Sequence, residues 1–243
     1  MRLLFVADLH YSLKQFDWLL EHAAEYDTVA IGGDLLDLSS ALDGDVQIAI
    51  VEKYLRLLQQ KTQLVACSGN HDGDSRNSAD ESVAGWLQAA RGERLHVDGD
   101  GFYMGDTRVT VCPWWDGQLS RGELEAQLER EASKVRGRWV WIHHAPPKGS
   151  RTSWTGRMFV GDEFLRGWIE RLRPDIVLSG HIHNSPFYAD GSWIDRINQT
   201  WVFNPGRQLG PEPASIALDL EAMTAEWKST EGHSIRDLLA TES

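Results

Sequence analysis

The chain predicts an α/β fold, part alternating and part β-rich, with two sheets carrying helices on their outer faces. Three observations lead there. Short apolar runs alternate with amphipathic stretches through the first two thirds of the chain, and the last third turns to short strands. Polar segments rich in histidine follow directly after several of the apolar runs. The 243 residues are 42% hydrophobic and 25% charged, enough apolar material for a sizeable core, which excludes a disordered or disulfide-scaffold chain. No repeat, low-complexity stretch or linker interrupts it, so residues 1–243 are expected to form a single domain.

Leu3 to Ala7 reads as a buried strand, followed by a helix from about Leu13 to Tyr26 and a strand from Thr28 to Ile31. Asp45 to Gln60 sets Ile48, Val51, Leu55 and Leu58 at helical spacing. Gln63 to Cys67 is a third strand and Ser78 to Ala90 a third helix. Strands alternating with helices of this length predict parallel pairing through crossover connections. Phe102 to Met104 and Arg108 to Cys112 flank Gly105-Asp106, a hairpin turn. A charged helix spans roughly Ser120 to Val135, with Ser120 as N-cap and Glu123 at its third position. A strand (Trp139 to Ile142), a helix (Asp162 to Arg171) and another strand (Ile176 to Leu178) come next. The short strands of the last third are Phe187 to Ala189, Ser192 to Ile194, Trp201 to Phe203 and Ser215 to Leu218.

Twenty-four basic residues against 36 acidic ones leave a net charge of −12, so broad non-specific nucleic-acid binding is not expected. Cys67 and Cys112 lie inside apolar, strand-like runs and read as two reduced core thiols. The N-terminal apolar run stops at Asp8, too short for a signal peptide, and no stretch reaches the length of a membrane span. The expected compartment is the cytoplasm, with no membrane partner.

In open α/β sheets, ligands bind beyond the carboxyl ends of the strands. Here those ends deliver Asp8-Leu9-His10, then Gly32-Gly33-Asp34-Leu35-Leu36-Asp37, then Gly69-Asn70-His71-Asp72. The later ones deliver His143-His144-Ala145-Pro146-Pro147 and Gly180-His181-Ile182-His183. Six of the nine histidines fall in these five segments. Asp8 and His10, two apart on an extended chain, face one way, and His181 and His183 repeat that geometry. Carboxylate, imidazole and amide oxygen without thiolate suit divalent or trivalent Mn, Fe, Co, Ni or Zn. The donors are too many for one catalytic ion that keeps a position open, and suit two ions sharing a carboxylate.

These segments, Asp-x-His, Gly-Asp-x-x-Asp, Gly-Asn-His-Asp, His-x-Pro and Gly-His-x-His, resemble the pattern of the calcineurin-like metallophosphoesterase superfamily from Asp8 to His183. Phe203-Asn204-Pro205-Gly206 is similar to the strand-to-turn that often closes that fold. The resemblance implies a four-layer αββα sandwich of two mixed sheets with a binuclear metal centre at the C-terminal strand ends. It implies that Asp8, His10, Asp34 and His183 hold one ion, and that Asp34 bridges to a second held by Asn70, His144 and His181. The proline two residues on favours His144 over His143 as the ligand, with His143 the alternative. His71 then stands beside the leaving group, Asp37 resembles the carboxylate that orients it, and Asp72 reads as a structural cap, with a share in that orienting role the alternative. Two ions lower the pKa of a water between them and neutralise phosphoryl oxygens, so the implied reaction is in-line attack of hydroxide on a phosphoester substrate.

Specificity is expected from loops. Trp114 and Trp115, in a Pro- and Gly-bounded loop, could stack on a ring, or could simply anchor the loop. Lys148 to Arg157 forms a local basic patch after His144, from which Arg151 and Arg157, together with the later Arg207, are candidate phosphate contacts. The expected activity is phosphodiester hydrolysis on a small or nucleotide-like substrate. Phosphomonoesterase, nuclease and non-catalytic scaffold are the other readings.

Overall fold

The structure, a computed structural model, describes residues 1–240. In chain order the first strands are β1 (Arg2–Val6), β2 (Thr28–Gly32) and β3 (Gln63–Cys67), then the two-residue β4 (Ser75–Arg76), β5 (Ser82–Val83) and β6 (Leu95–His96). There follow β7 (Gly101–Met104), β8 (Thr107–Val111), β9 (Trp139–Ile142) and β10 (Ile176–Leu178). The last are β11 (Ile194–Ile197), β12 (Thr200–Phe203), β13 (Ser215–Asp219), β14 (Thr224–Lys228) and β15 (His233–Asp237). The helices are α1 (Leu13–His22), α2 (Gly44–Lys61), α3 (Gly85–Ala89), α4 (Gln118–Ala132) and α5 (Glu163–Leu172).

One sheet has the order β15-β14-β13-β1-β2-β3-β6 and the other β11-β12-β10-β9-β8-β7. In the first, β1, β2, β3 and β6 run parallel, while β13 to β15 add an antiparallel meander along β1. In the second, β8, β9, β10 and β12 run parallel between antiparallel edges β7 and β11. Both sheets are therefore mixed, because short hairpins extend each parallel centre.

Alternation along the strands sorts the core into layers. Leu3 and Phe5 point between the sheets, with Val109, Val111, Val140, Ile142, Ile216 and Leu218 in the same cluster. Leu4 and Val6 point the other way, against Phe16 and Leu19 of α1 and Val51, Leu55 and Leu58 of α2. On the far side Trp139, Trp141 and Val177 pack on Leu124 and Leu128 of α4 and on Leu165, Trp168 and Ile169 of α5. This is the four-layer αββα sandwich. Each fully buried aliphatic or aromatic side chain in it contributes about 1.5–3 kcal/mol. Cys67 and Cys112 are both free and buried in the core.

Several local expectations change. Ser78 to Ala90 is not one helix: β4 and β5 form a small hairpin and only Gly85–Ala89 is helical. Asn77 turns the chain there, its side-chain oxygen accepting from the N–H groups of Ala79 and Glu81. Ser120 lies inside α4 rather than capping it, and its hydroxyl accepts from the N–H groups of Asp116 and Gly117. The distant Glu81 carboxylate accepts from Leu119 and Ser120 N–H at the helix start instead. The first helix stops at His22, and Ala23–Glu25 tightens into a 3₁₀ turn. Ser185–Phe187 forms another 3₁₀ turn, with Pro186 inside it, in place of a strand at 187–189. Strands β14 and β15 lie beyond the last expected strand, and no helix among the described residues is long and apolar enough to cross a membrane.

Candidate active site

The loops after β1, β2 and β3 of one sheet meet those after β9 and β10 of the other, and the backbone there is strained. Asp8, His10, Asp34 and His181 all adopt positive φ, of 57°, 42°, 52° and 66°. Non-glycine residues rarely hold that conformation unless the surroundings impose it, and such outliers gather at functional sites. Asp8 and His10 are thus left-handed and not on the extended segment expected, and His181 departs in the same way from the extended geometry expected of His181-Ile182-His183. The Asp8-Leu9-His10 segment is docked by Asp8 N–H on Gly33 O (3.1 Å) and His10 N–H on Asp34 O (2.9 Å). Gly33, at φ 88°, and Gly69 are required on steric grounds: a Cβ on Gly33 would overlap the His144 ring, and one on Gly69 would overlap the Asp34 carboxylate.

The donor atoms converge in two groups that share Asp34. Asp8, His10, Asp34 and His183 each place one donor atom within 4.8 Å of the others, and so do Asp34, His144 and His181. Asp34 divides its carboxylate between tasks. Its Oδ1 accepts from His71 N–H (2.9 Å), while Oδ2 lies 3.5 Å from His10 Nε2 and 3.2 Å from His144 Nε2. The Asp8 carboxylate accepts from His181 N–H (3.0 Å) and turns Oδ1 to within 3.4 Å of His183 Nε2. His10 and His183 bring their Nε2 atoms to 3.1 Å.

One buried polar atom here, Asn70 Oδ1, lacks any protein partner, and His144 Nε2 has only the Asp34 carboxylate, 3.2 Å away. Such atoms are costly unless something else satisfies them. His144 donates from Nδ1 to Gly32 O (2.7 Å), which orients the ring and points Nε2 at Asp34. Burial pushes His10 and His181 down to about 4, so both are neutral donors near neutral pH. Burial acts the same way on His144, but the Asp34 and Asp8 carboxylates outweigh it and push the ring up to about 9. Asp34 is held well below its ordinary value: burial acts to raise it, and His144 more than compensates. An oxygen-and-imidazole donor set with a buried, unpartnered Asn70 oxygen fits transition-metal cations.

His143 turns away from this cluster. It is fully buried, with Nε2 3.6 Å from the Asp162 carboxylate. His71 packs edge-on to His10 at 4.6 Å. Its Nδ1 accepts from Leu38 N–H (3.1 Å), so the neutral ring carries its proton on Nε2. Asp37, the expected orienting carboxylate, is 3.9 Å from Nδ1, and its Oδ1 is taken by the Ser39 hydroxyl and N–H. The backbone of Leu38 therefore does the work expected of Asp37. Asp72 is the cap anticipated, accepting from Leu36 and Gly69 N–H and tying together the loops that carry Asp34 and Asn70. Burial, with the nearby Asp34 charge adding to it, pushes its carboxyl up to about 8.

The loop candidates divide. The Trp114 ring lies 5.5 Å from that of His181 and 5.7 Å from that of His144, against the candidate metal-ligand cluster. Trp115 is one position further out, its Nε1–H donating to Asp162 Oδ2 (2.7 Å). Arg207 is at the site: its N–H donates to His183 O (2.9 Å), and its charge helps depress His10, after burial. Arg151 is not, because its guanidinium donates to Gly191 O (3.1 Å) and it lines a separate cavity beside Ser192 and Trp201. Arg157 is exposed in the same loop and is not among the residues lining the two cavities next to the donor cluster. Asn204 has a larger part than its place in a closing turn suggested. Its amide donates to Thr152, Gly180 and Ile182 carbonyls and so anchors the His181–His183 loop.

The chain belongs to the calcineurin-like phosphoesterase family, whose model matches residues 1–185. Members of that family are metal-dependent hydrolases of phosphoesters, and the donor cluster lies wholly within the matched segment. Comparison with curated protein sequences finds no match. Among solved structures, the fold is similar to a dimetal phosphatase from Danio rerio (TM-score 0.57, 12% identity, 94% of this chain and 95% of that one). It is similar to the purple acid phosphatase PPD1 of yellow lupin seeds (TM-score 0.60, 13% identity), covering 98% of this chain and 52% of that one. It also matches the phosphoesterase Yfce from E. coli (TM-score 0.50, 16% identity, 98% and 100% covered).

Proposed function

We propose that this protein hydrolyses a phosphodiester with small or nucleotide-like arms, using two transition-metal ions (Mn, Fe, Co, Ni or Zn) that share Asp34. Asp8, His10 and His183 would complete one ion's shell, and Asn70, His144 and His181 the other's. When bound, such a pair supplies a nucleophile from water at neutral pH and neutralises the phosphoryl oxygens. His71 directs its Nε2–H toward the leaving oxygen and stabilises the charge that develops there. Arg207, beside His10 and His183, offers a further positive charge to a phosphoryl oxygen.

One observation carries the preference for a diester. Two clefts adjoin the donor cluster and share no lining residue. The larger, of about 380 Å³, reaches the cluster at His181, and the smaller, of about 170 Å³, lies beside it at His71, whose ring packs on His10. A monoester has one organic group to place, whereas a diester has two, one leaving on the His71 side and one retained. The test is turnover of an aryl phosphodiester and its monoester by chelator-stripped protein resupplied with each metal in turn. Metal-restored hydrolysis favouring the diester is expected. Preference for the monoester overturns the diester reading, and absence of turnover with every metal overturns the enzyme reading.

A further inference from the structure

We infer that the larger cleft is a subsite for a planar aromatic arm, the arm that stays on phosphorus when the other leaves. This rests on the diester reading above. The cleft's apolar wall is made by Trp114, Trp115, Val160 and Phe164, and Trp114 extends that wall onto the ring of His181. Aromatic side chains thus line the cleft from Phe164 and Trp115 to Trp114, whose ring meets that of His181, a residue of the candidate metal-ligand cluster. Its size falls in the range of small-ligand pockets, about 300–1,000 Å³.

The wall is held in place before any ligand arrives. Asp162 accepts from Trp115 Nε1–H through Oδ2 (2.7 Å) and caps α5 through Oδ1, which accepts from Phe164 N–H (2.7 Å) and Leu165 N–H (3.0 Å). One carboxylate therefore fixes both Trp115 and the helix that carries Phe164. The two rings meet edge-on at 5.7 Å, and the Arg121 guanidinium covers the Phe164 face at 4.0 Å. Rings fixed in this way lose little conformational freedom when another ring stacks on them. Phe164 and Val160 remain 43% and 40% exposed, so apolar surface is left for an occupant to cover.

The rings, more than charge, select the occupant. Asp116, Asp162 and Glu163 lie around the cleft, but Lys148 pairs with Glu163 (2.6 Å), Arg76 lies 4.0 Å from Asp116 and Arg121 covers Phe164. An aryl group or a nucleobase supplies the flat apolar face that this wall can pack against. In the reaction, the P–O bond to the other arm breaks, water oxygen bonds to phosphorus, and the departing alkoxide takes a proton. The aromatic arm leaves afterwards as a phosphomonoester.

The experiment compares bis(p-nitrophenyl) phosphate with methyl p-nitrophenyl phosphate, which share a leaving group and differ in the retained arm. The aryl-to-methyl ratio of kcat/KM is expected to fall at least ~5-fold in Trp115→Leu and in Phe164→Leu, the scale of losing one stacked ring. Taking the variant against the parent cancels the intrinsic reactivities of the two esters. Phe164 sits half out in solvent, so its replacement keeps the fold even if loss of the Trp115–Asp162 bond disturbs α5. Calorimetry with diphenylphosphinate and dimethylphosphinate, which cannot be hydrolysed, gives a readout independent of turnover. The ratio of their Kd values should narrow by a similar factor in both variants. Unchanged ratios in both variants overturn the subsite. If the parent proves to prefer monoesters, the diester reading fails by itself, and the phosphinate comparison still decides whether the cleft takes a ring.

Discussion

Replacing Gly33 by alanine tests whether the backbone at the end of β2 exists to seat a metal ligand. Gly33 has φ 88°, a conformation that costs an alanine about 1–2 kcal/mol. The new Cβ would lie 2.7 Å from His144 Cγ and 2.9 Å from its Cβ, and closer still to Nδ1. Restoring an ordinary contact at Nδ1 requires the ring to retreat by about 1 Å, whereas a metal ligand tolerates roughly 0.2 Å. The retreat also strains the Nδ1–H bond to Gly32 O that aims Nε2 at Asp34. Losing such an orienting bond costs ~10–100-fold in metal affinity. The expected result is that the ion held by Asn70, His144 and His181 weakens by that factor, while the ion held by Asp8, His10 and His183 weakens less. Calorimetric Mn titration of the metal-free variant, with circular dichroism to confirm the fold, reads both. Two ions bound with parental affinities would refute the reasoning.

Three further outcomes follow from individual side chains. His71→Ala should retain bound metal yet lose at least ~10²-fold in kcat on an alkyl diester, where the leaving group most needs a donor; full retained rate would remove His71 from the reaction. Asp98 is buried, with Oδ1 accepting from Ser68 N–H and Oδ2 unpartnered, and burial pushes it up to about 6. Because the folded value is the higher one, its contribution is favourable below about pH 4 and is lost as pH rises through 6, costing about 3 kcal/mol above that. Asp98→Asn should therefore raise Tm at pH 8 and not at pH 4, and an equal change at both would contradict the assignment. Finally, His144 at about 9 must shed its Nε2 proton to bind metal, so affinity should rise with pH up to that value. Calorimetry at pH 7.5 in buffers of different ionisation enthalpy should show about one proton released, and no buffer dependence would count against His144 as a ligand.

The strand ends were legible because function and fold speak through the same local signals there. Each short apolar run ends in a polar cluster, and Asp8, His10, Asp34, Asn70, His144, His181 and His183 could be found without knowing how the sheets pack. What stayed hidden depends on long-range partners. Glu81 starts α4 from 38 and 39 residues away, so the local Ser120–Glu123 spacing pointed to the wrong cap. The helical periodicity of Ser78 to Ala90 yielded to the Asn77 turn and the β4–β5 hairpin. Asp37 looked like the partner of His71 because carboxylates commonly orient imidazoles, yet a backbone N–H does that here, and sequence carries no mark of it. Arg151 sat next to the site in sequence but is pulled away by the carbonyl of Gly191. Phe164 and Asp162, which build the aromatic cleft, sit on a helix start whose pattern announces only a cap and a buried face.

The most direct test of the account is to titrate Mn into the metal-free protein while counting bound ions and following diester turnover together. Two ions sharing Asp34 predict that turnover stays low through the first equivalent and climbs with the second, and that Asp34→Asn abolishes the climb. Full turnover at one bound ion, or turnover that ignores metal altogether, would contradict it.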